Sequence, residues 1–202
     1  MDITIVGCGP GARECVTLEA LEAVQQAEVL IGAQRLLDLF PEASSERVSA
    51  RGSIREIAAH RDRRVAVLVS GDPGISSLAR LVIERFGRDA CRVIPGVSSV
   101  QVAFARLGLD WTGARILSAH GELPRTDFAA LASEDKIAVL TGSPEAVTWV
   151  AALAESLGSN WKVYLAENLT LSGEVVRETS PAELRQIPCA SLSILILLRG
   201  DQ

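Results

Sequence analysis

Residues 64–70 read Arg-Val-Ala-Val-Leu-Val-Ser, and the turn Gly71-Asp72-Pro73-Gly74 follows them directly. The run is apolar at successive positions rather than alternate ones, which is typical of a strand covered on both faces. A helical pattern follows over 75–86. Short β-branched runs alternate with helical patterns in this way along most of the chain, which predicts strand–helix–strand units. We therefore expect an α/β fold with residues 64–70 as a central strand.

The composition is that of a folded protein that does not bind nucleic acid. The chain has 202 residues, of which 48% are hydrophobic and 22% are charged. A chain of this kind can bury a sizeable core. Its 20 Lys and Arg against 25 Asp and Glu leave a net charge of −5. Since phosphate binding depends on clustered positive charge, we expect no nucleic-acid partner.

One segment, 108–113, interrupts the alternation of strands and helices. It carries two glycines and no clear periodicity, as domain linkers commonly do. We therefore predict two α/β domains, an N-terminal one over 1–110 and a C-terminal one over 113–202, with sheets that are mostly parallel or mixed.

The apolar runs and the cysteines suggest a cytoplasmic protein. The longest apolar run, 187–198, is shorter than a membrane span, and the first residues lack the basic flank of a secretory signal. The four cysteines contain no C-x-x-C pair. We expect free, buried thiols rather than disulfides, and no metal site.

The first glycine-rich turn, 7–12, allows two interpretations. Its sequence Gly-Cys-Gly-Pro-Gly-Ala formally satisfies the dinucleotide pattern G-x-G-x-x-G/A. However, Pro10 removes an amide donor where a phosphate would need one, and the second predicted strand ends at 30–33 without an acid to hold a ribose. A plain turn and a nucleotide-binding module therefore both remain open.

Two further turns follow predicted strands and open predicted helices. In Gly71-Asp72-Pro73-Gly74 the glycines expose backbone to a ligand, while Asp72 is either a site residue or the N-cap of a helix that begins near Gly74. In Pro95-Gly96-Val97-Ser98-Ser99 the hydroxyls either cap a helix or contact a ligand. Ligands of open α/β sheets bind beyond the carboxyl ends of the strands, so both turns are candidate site segments.

In the second half, three segments again follow predicted strands, namely 119–122, 140–144 and 166–170. Of the two histidines, His60 lies in a charged turn, whereas His120 lies between a strand and a glycine and is a site candidate as well as a structural one. The chain contains no Ser/His/Asp set and no P-loop pattern. Hydrolysis and phosphoryl transfer therefore lack their usual residues.

The order and spacing of the motifs around Gly7–Gly11, Gly71-Asp72-Pro73 and 95–99 resemble those of the tetrapyrrole methylase superfamily. Within it, Ser118-Ala119-His120-Gly121 and Ala166-Glu167-Asn168-Leu169-Thr170 look like the branch that methylates meso carbon 5 of a corrin precursor, precorrin-7 or cobalt-precorrin-7, in cobalamin biosynthesis. The resemblance covers essentially the whole chain. It implies a homodimer of two-domain subunits, with S-adenosylmethionine (SAM) and a tetrapyrrole bound in a cleft between the domains and S-adenosylhomocysteine (SAH) as product.

The resemblance also implies the residues of the site. The SAM contacts by position are Pro10, Gly71, Asp72, Ile75, Ser98, Ser99, Leu140, Ala166 and Leu192. Position 166 departs from the pattern, since relatives of this branch commonly have glycine there. The methyl group of Ala166 would narrow the implied SAM pocket.

Methyl transfer to a tetrapyrrole carbon requires little acid–base chemistry, so positioning of the two reactants should dominate. A carboxylate beside the sulfonium would stabilise the ground state and slow the step. We therefore expect Asp72 to contact the ribose or amino-acid end of SAM, or its own loop.

Glu167 and His120 are the candidates for the group that accepts a proton. Arg13 and Arg125 are either carboxylate-binding residues or ordinary surface arginines.

Two alternatives stay open at this point. One is methylation of another tetrapyrrole position, for example in uroporphyrinogen. The other is a nucleotide-binding module that uses the N-terminal glycine turn.

Overall fold

The computed structural model describes residues 2–49, 54–188 and 190–200. The chain divides into two compact units, 1–99 and 100–202, and each unit has its own five-stranded sheet. The α/β class that the sequence predicts is confirmed. The segment 108–113 lies later than this division, after helix α5 (Ser99–Arg106), and the domain assignment 1–110 and 113–202 stays a prediction.

The first unit contains an entirely parallel sheet. Its strands are β1 (Asp2–Gly7), β2 (Val29–Gly32), β3 (Glu46–Ser49), β4 (Arg64–Val69) and β5 (Cys91–Ile94). Its helices are α1 (Leu18–Gln26), α2 (Gln34–Leu37), α3 (Ile54–Ala59) and α4 (Ala79–Phe86), with 3-10 turns at Arg13–Cys15 and Arg88–Ala90. The strand order is β3-β2-β4-β1-β5, and every pair is parallel.

Strand β4 is the middle strand of this sheet, as predicted. Ala66 and Leu68 pack into one apolar cluster with buried residues of α1 and α2. Val65, Val67 and Val69 pack into a second cluster with residues of α3 and α4. Since both faces are covered, successive positions must be apolar, and this explains the continuous apolar run in the sequence.

The second unit contains a mixed sheet. Its strands are β6 (Arg115–Ser118), β7 (Lys136–Leu140), β8 (Trp161–Glu167), β9 (Val175–Thr179) and β10 (Ser193–Arg199), and its helices are α5, α6 (Phe128–Leu131), α7 (Pro144–Leu157) and α8 (Pro181–Leu184). The strand order is β6-β7-β10-β8-β9. Strands β6 and β7 are parallel, whereas β10 is antiparallel to β7 and β8, and β9 is antiparallel to β8. A single apolar cluster joins this sheet to α7.

Helix α4 begins later than the sequence pattern predicts. The expected start was residue 75, but residues 73–78 form successive turns and the helix begins at Ala79. The Ser77 hydroxyl donates to the Pro73 carbonyl at 2.5 Å and accepts from the Ala79 amide at 3.1 Å. These local bonds compete with helical ones. The interpretation of Asp72 as the N-cap of this helix is therefore wrong.

The described cysteines are free, as predicted, but only one of the three is fully buried. Cys8 has no exposed surface, whereas Cys15 and Cys91 are half-buried, and Cys189 lies outside the described residues. Burial disfavours the thiolate and raises the pKa of Cys8 to about 12. Within the described part of the chain, no helix is long and apolar enough to cross a membrane.

We expect Cys8 to resist alkylation by iodoacetamide at pH 8 in the folded protein, because the reactive species is the thiolate and the protonated form is favoured below its raised pKa. Peptide mass spectrometry over a time course measures the labelling of each cysteine. The half-buried Cys15 and Cys91 are the internal controls. Labelling of Cys8 as fast as that of Cys91 would contradict the burial described here.

Candidate functional site

Three turns meet at the carboxyl edge of the first sheet. Strand β1 lies between β4 and β5, and Gly7 pairs with Val69 while Val6 pairs with Ile94. The segments that follow these strands, 7–11, 70–75 and 95–98, therefore lie side by side; we name them the glycine-turn cluster. The sequence separates these turns widely, and the parallel register brings them together at the edge where α/β sheets bind ligands.

The turns of this cluster approach each other through their backbones. Gly9 and Gly71 exchange two amide hydrogen bonds, of 3.3 Å and 2.8 Å. A Cβ atom on Gly7 would lie 2.6 Å from the Gly96 amide nitrogen, and one on Gly96 would overlap the Gly71 carbonyl oxygen. Side chains at these positions would force the turns apart, so the packing requires glycine.

Gly71 itself borders open space. Its φ of +65° is in the left-handed region, and a Cβ atom there would meet no other atom within 4 Å. Bare backbone beside open space is what a closely bound ligand requires. Because the Gly71 amide and carbonyl already bond to Gly9, a ligand at this point would contact the Cα side of Gly71.

The Asp72 carboxylate ties two of the turns together. One oxygen accepts from the Gly74 amide at 2.8 Å and the other from the Gly96 amide at 3.1 Å. The side chain is half-buried, and it gives the half-buried Gly96 amide a partner where access of water is limited. Asp72 is thus a fixed part of the loop structure, and its role as a SAM contact stays a prediction.

The other residues predicted from the first half lie in the same cluster or, for Ser99, directly after it. Pro10 is buried in the first turn, and Ile75 is half-buried, with its amide donating to the Asp72 carbonyl at 3.1 Å. Ser98 is 4% exposed and Ser99 begins α5. The structure also weakens the dinucleotide interpretation, because α1 begins only at Leu18 and its amides do not directly follow the glycines.

The two candidate arginines differ in their surroundings. The Arg13 guanidinium forms an ion pair with Glu42 and donates to the Leu39 carbonyl, and this pairing lowers the pKa of the Glu42 carboxyl. Arg13 therefore acts as a surface structural residue here. Arg125 is exposed and forms no ion pair with any residue that the structure describes.

The predicted residues of the second half lie at one edge of the second sheet. Ser118 pairs with Leu140, Leu140 with Ile194, and Glu167 with Ser193. The ends of β6, β7 and β8 and the start of β10 therefore share this edge. Leu140 and Leu192 are half-buried there, and Ala166 is 2% exposed. Their proposed contacts with SAM stay predictions.

Glu167 and His120 come from different parts of this edge. The Glu167 carboxylate is half-buried and accepts from the Ala190 amide at 3.0 Å. His120 is exposed, with Nδ1 3.3 Å from the Thr141 carbonyl oxygen. Two strands separate β6 from β8, so the two backbones are about 14 Å apart at strand spacing. Each residue is therefore a separate candidate for proton transfer.

Sequence patterns missed a buried hydroxyl pair at this edge. Thr141 and Ser193 are 3% and 4% exposed, and their hydroxyl oxygens are 2.8 Å apart. The Ser193 hydroxyl also donates to the Ala190 carbonyl at 2.9 Å. These bonds fix segment 190–193. The Ala190 amide of this segment donates to Glu167, and the segment also includes Leu192. The only sequence signal was the place of Thr141 directly after a buried strand.

A second feature that the sequence did not reveal is a strained loop after Glu167. Asn168 and Thr170 have φ values of +50° and +69°. The left-handed region costs about 1 to 2 kcal/mol for most residues with a Cβ atom, although Asn tolerates it. A β-branched residue such as Thr170 is a genuine outlier there. Such strain persists only where surrounding contacts impose it.

Among the described residues, no group of three or more His, Cys, Asp or Glu side chains could hold a metal ion. The site features that the structure presents are backbone groups, hydroxyls and isolated carboxylates.

We expect Gly96→Ala to destabilise the first unit by about 2 to 3 kcal/mol, as overpacking does, because its methyl group would overlap the Gly71 carbonyl. Gly71→Ala is the matched control: it adds the same atom into open space, and only the cost of its positive φ applies, about 1 kcal/mol. Urea unfolding measures both. A Gly96→Ala midpoint equal to or above that of Gly71→Ala would contradict the described packing.

Comparison with known proteins agrees with this architecture. A model of the family described as Tetrapyrrole (Corrin/Porphyrin) Methylases matches residues 2–185. The cobalt-precorrin-7 C(5)-methyltransferase of Salmonella typhimurium is 33% identical over 177 residues, which are 85% of this chain and 87% of that protein.

Two solved structures are similar over nearly their full lengths. The cobalamin biosynthesis precorrin-6Y methylase from Archaeoglobus fulgidus is 31% identical with a TM-score of 0.75, covering 100% of this chain and 99% of that one. The uroporphyrin-III C-methyl transferase from Thermus thermophilus, complexed with S-adenyl homocysteine, shares the fold at 22% identity and a TM-score of 0.77, covering 98% and 92%. The family match and the 33% identity to the Salmonella protein confirm the resemblance to which the glycine turns point: this chain belongs to the tetrapyrrole (corrin/porphyrin) methylase family.

Proposed function

We propose that this chain is a SAM-dependent C-methyltransferase that methylates carbon 5 of a corrin precursor, precorrin-7 or cobalt-precorrin-7, in cobalamin biosynthesis. The observation that carries the proposal is the 33% identity to a cobalt-precorrin-7 C(5)-methyltransferase over most of both chains. The carbon-5 branch is also the one that the Glu167-Asn168-Leu169-Thr170 segment resembles. Family membership favours this function over a nucleotide-binding module.

The glycine-turn cluster fits SAM as a ligand. It offers bare backbone at Gly71 beside open space, a buried hydroxyl at Ser98 and the half-buried Asp72. When bound, SAM supplies an electrophilic methyl group on a positively charged sulfur. Backbone that hydrogen bonds within the cluster hold at fixed positions can contact such a molecule without conformational change, which favours reaction by positioning.

Asp72 supports this proposal through the bonds that it already makes. Because its two oxygens bond to the Gly74 and Gly96 amides, the carboxylate orients the turns rather than neutralising a distant positive charge. A carboxylate held against the sulfonium would stabilise the ground state more than the transition state. We therefore assign Asp72 to the shape of the SAM site.

Glu167 is our first choice for the group that accepts the proton released when the acceptor carbon is methylated. It is half-buried at a strand end, and the Ala190 amide fixes one of its oxygens while the other can accept a proton. His120, exposed at the end of β6, is the second choice. Since methyl transfer depends mainly on positioning, the loss of either should slow turnover without abolishing SAM binding.

We also propose that the protein is a cytoplasmic homodimer. The homodimer is what the resemblance to the family implies, whereas the cytoplasmic location rests on the sequence arguments about apolar runs and the first residues. Light scattering coupled to size-exclusion chromatography tests the oligomeric state directly.

The deciding experiment incubates the enzyme with corrin precursors and SAM labelled in its methyl group, and follows the products by mass spectrometry. NMR of the product locates the new methyl carbon. We expect label at carbon 5 of precorrin-7 or cobalt-precorrin-7, and none in uroporphyrinogen III. Label in uroporphyrinogen, or no label in any tetrapyrrole, would refute the assignment.

We expect Asp72→Ala to weaken SAM and SAH binding by about tenfold to hundredfold, as for the loss of charge-assisted hydrogen bonds. Asp72→Asn should have a smaller effect, because its amide oxygen can still accept from one of the two glycine amides. Asp89→Ala, which removes an exposed carboxylate beside the start of β5, is the control. Isothermal titration calorimetry measures all three, and an unchanged affinity of Asp72→Ala would remove Asp72 from the site.

Glu167→Gln should lower kcat by about a hundredfold, the usual contribution of a general base. SAH affinity and folding should be nearly kept, because the amide oxygen can still accept from Ala190. Glu178→Gln on the exposed part of β9 is the matched control. Wild-type turnover of Glu167→Gln would show that the proton leaves by another route, and His120→Ala would then be the next variant.

A further inference from the structure

The loop that follows Glu167 is closed by its own backbone. The Leu171 amide donates to the Asn168 carbonyl at 2.9 Å, and the Glu174 amide donates to the Leu171 carbonyl at 3.1 Å. At the start of the loop, the Asn168 amide donates to the Leu192 carbonyl at 2.9 Å. Leu169 is buried, with 5% of its surface exposed. Segment 168–171 is therefore anchored next to the proposed proton acceptor.

The strained residue in this loop is held by the side chain of Glu174, at the end of the loop just before β9. Thr170 has a φ of +69°, which a β-branched residue rarely adopts without an external constraint. The Glu174 carboxylate accepts from the Thr170 amide at 2.5 Å. This bond requires the amide to point towards Glu174, and it supplies the constraint that the sequence of the loop lacks.

Arg106, at the end of α5, holds the carboxylate in turn. Its Nε lies 2.5 Å from one Glu174 oxygen, and a terminal nitrogen lies 3.3 Å from the other. The two-point geometry fixes the orientation of the carboxylate as well as its position. The pair is better shielded at Glu174, whose side chain is 24% exposed, than at Arg106, which is 47% exposed.

We propose that Glu174 and Arg106 are positioning residues for the methyl acceptor, acting through Thr170. They hold Thr170 in its left-handed conformation so that segment 168–171 and the adjoining Glu167 are ordered before the tetrapyrrole binds. The proposal rests on the proposed function, because it concerns the same reaction. Backbone strain imposed by a charged pair is more typical of a functional site than of a surface turn, where glycine would remove the strain.

The central test uses a substitution that removes the constraint and a second that removes the need for it. Glu174→Ala and Arg106→Gln should each lower kcat/KM for the corrin precursor about tenfold, since misplacement of about 1 Å can cost more than this. SAH affinity should change less than about twofold, because neither residue belongs to the glycine-turn cluster. The double variant Glu174→Ala/Thr170→Gly should recover most of the lost kcat/KM, because glycine adopts a positive φ without strain.

Arg185→Gln is the matched control, because it breaks another Arg–Glu pair of the second unit, the 2.7 Å pair with Glu155. It should leave kcat/KM unchanged. Amide hydrogen exchange at Thr170 provides a structural readout, and we expect faster exchange in Glu174→Ala than in the wild type.

The outcomes separate this inference from the proposed function. A wild-type protein without activity on any corrin precursor would refute the function and the inference with it. An active wild type with an equally active Glu174→Ala variant would refute the inference alone. So would a double variant that stays as slow as Glu174→Ala, because the effect would then not act through the conformation of Thr170.

Discussion

Close backbone packing among three turns is the constraint on which the candidate site of the first unit depends. Strand β1 has β4 on one side and β5 on the other, so the segments after these strands cannot avoid each other. Gly7 and Gly96 permit the contact, and their replacement would place Cβ atoms onto neighbouring backbone. Asp72 then bonds to the amides of Gly74 and Gly96 and so joins the second turn to the third.

The edge of the second sheet follows a similar rule with different residues. There, polar side chains fix the segments after the strands: Ser193 bonds to the Ala190 carbonyl, Glu167 to the Ala190 amide, and Glu174 to the Thr170 amide. In both units a few buried or half-buried polar groups orient a larger amount of backbone. Such fixed backbone suits methyl transfer, in which the donor supplies the reactivity and the protein sets the distance between the two reactants and their alignment.

The first glycine turn shows why a short motif needs its structural context. Residues 7–12 satisfy a dinucleotide pattern letter by letter, yet a 3-10 turn at Arg13–Cys15 intervenes before α1 begins at Leu18. A pyrophosphate cradle depends on helix amides directly after the glycines. The glycines serve the packing of turn against turn instead.

The sequence by itself determined the α/β class, the central place of β4 and the membership of the family, because burial on both faces and glycine turns after strands leave strong local patterns. Only the tertiary structure decided that Asp72 bridges two turns, that Arg13 is engaged by Glu42, and that Glu174 with Arg106 restrains Thr170. These contacts join residues from separate segments. Their geometry depends on strand order and register, which no local pattern of residues encodes.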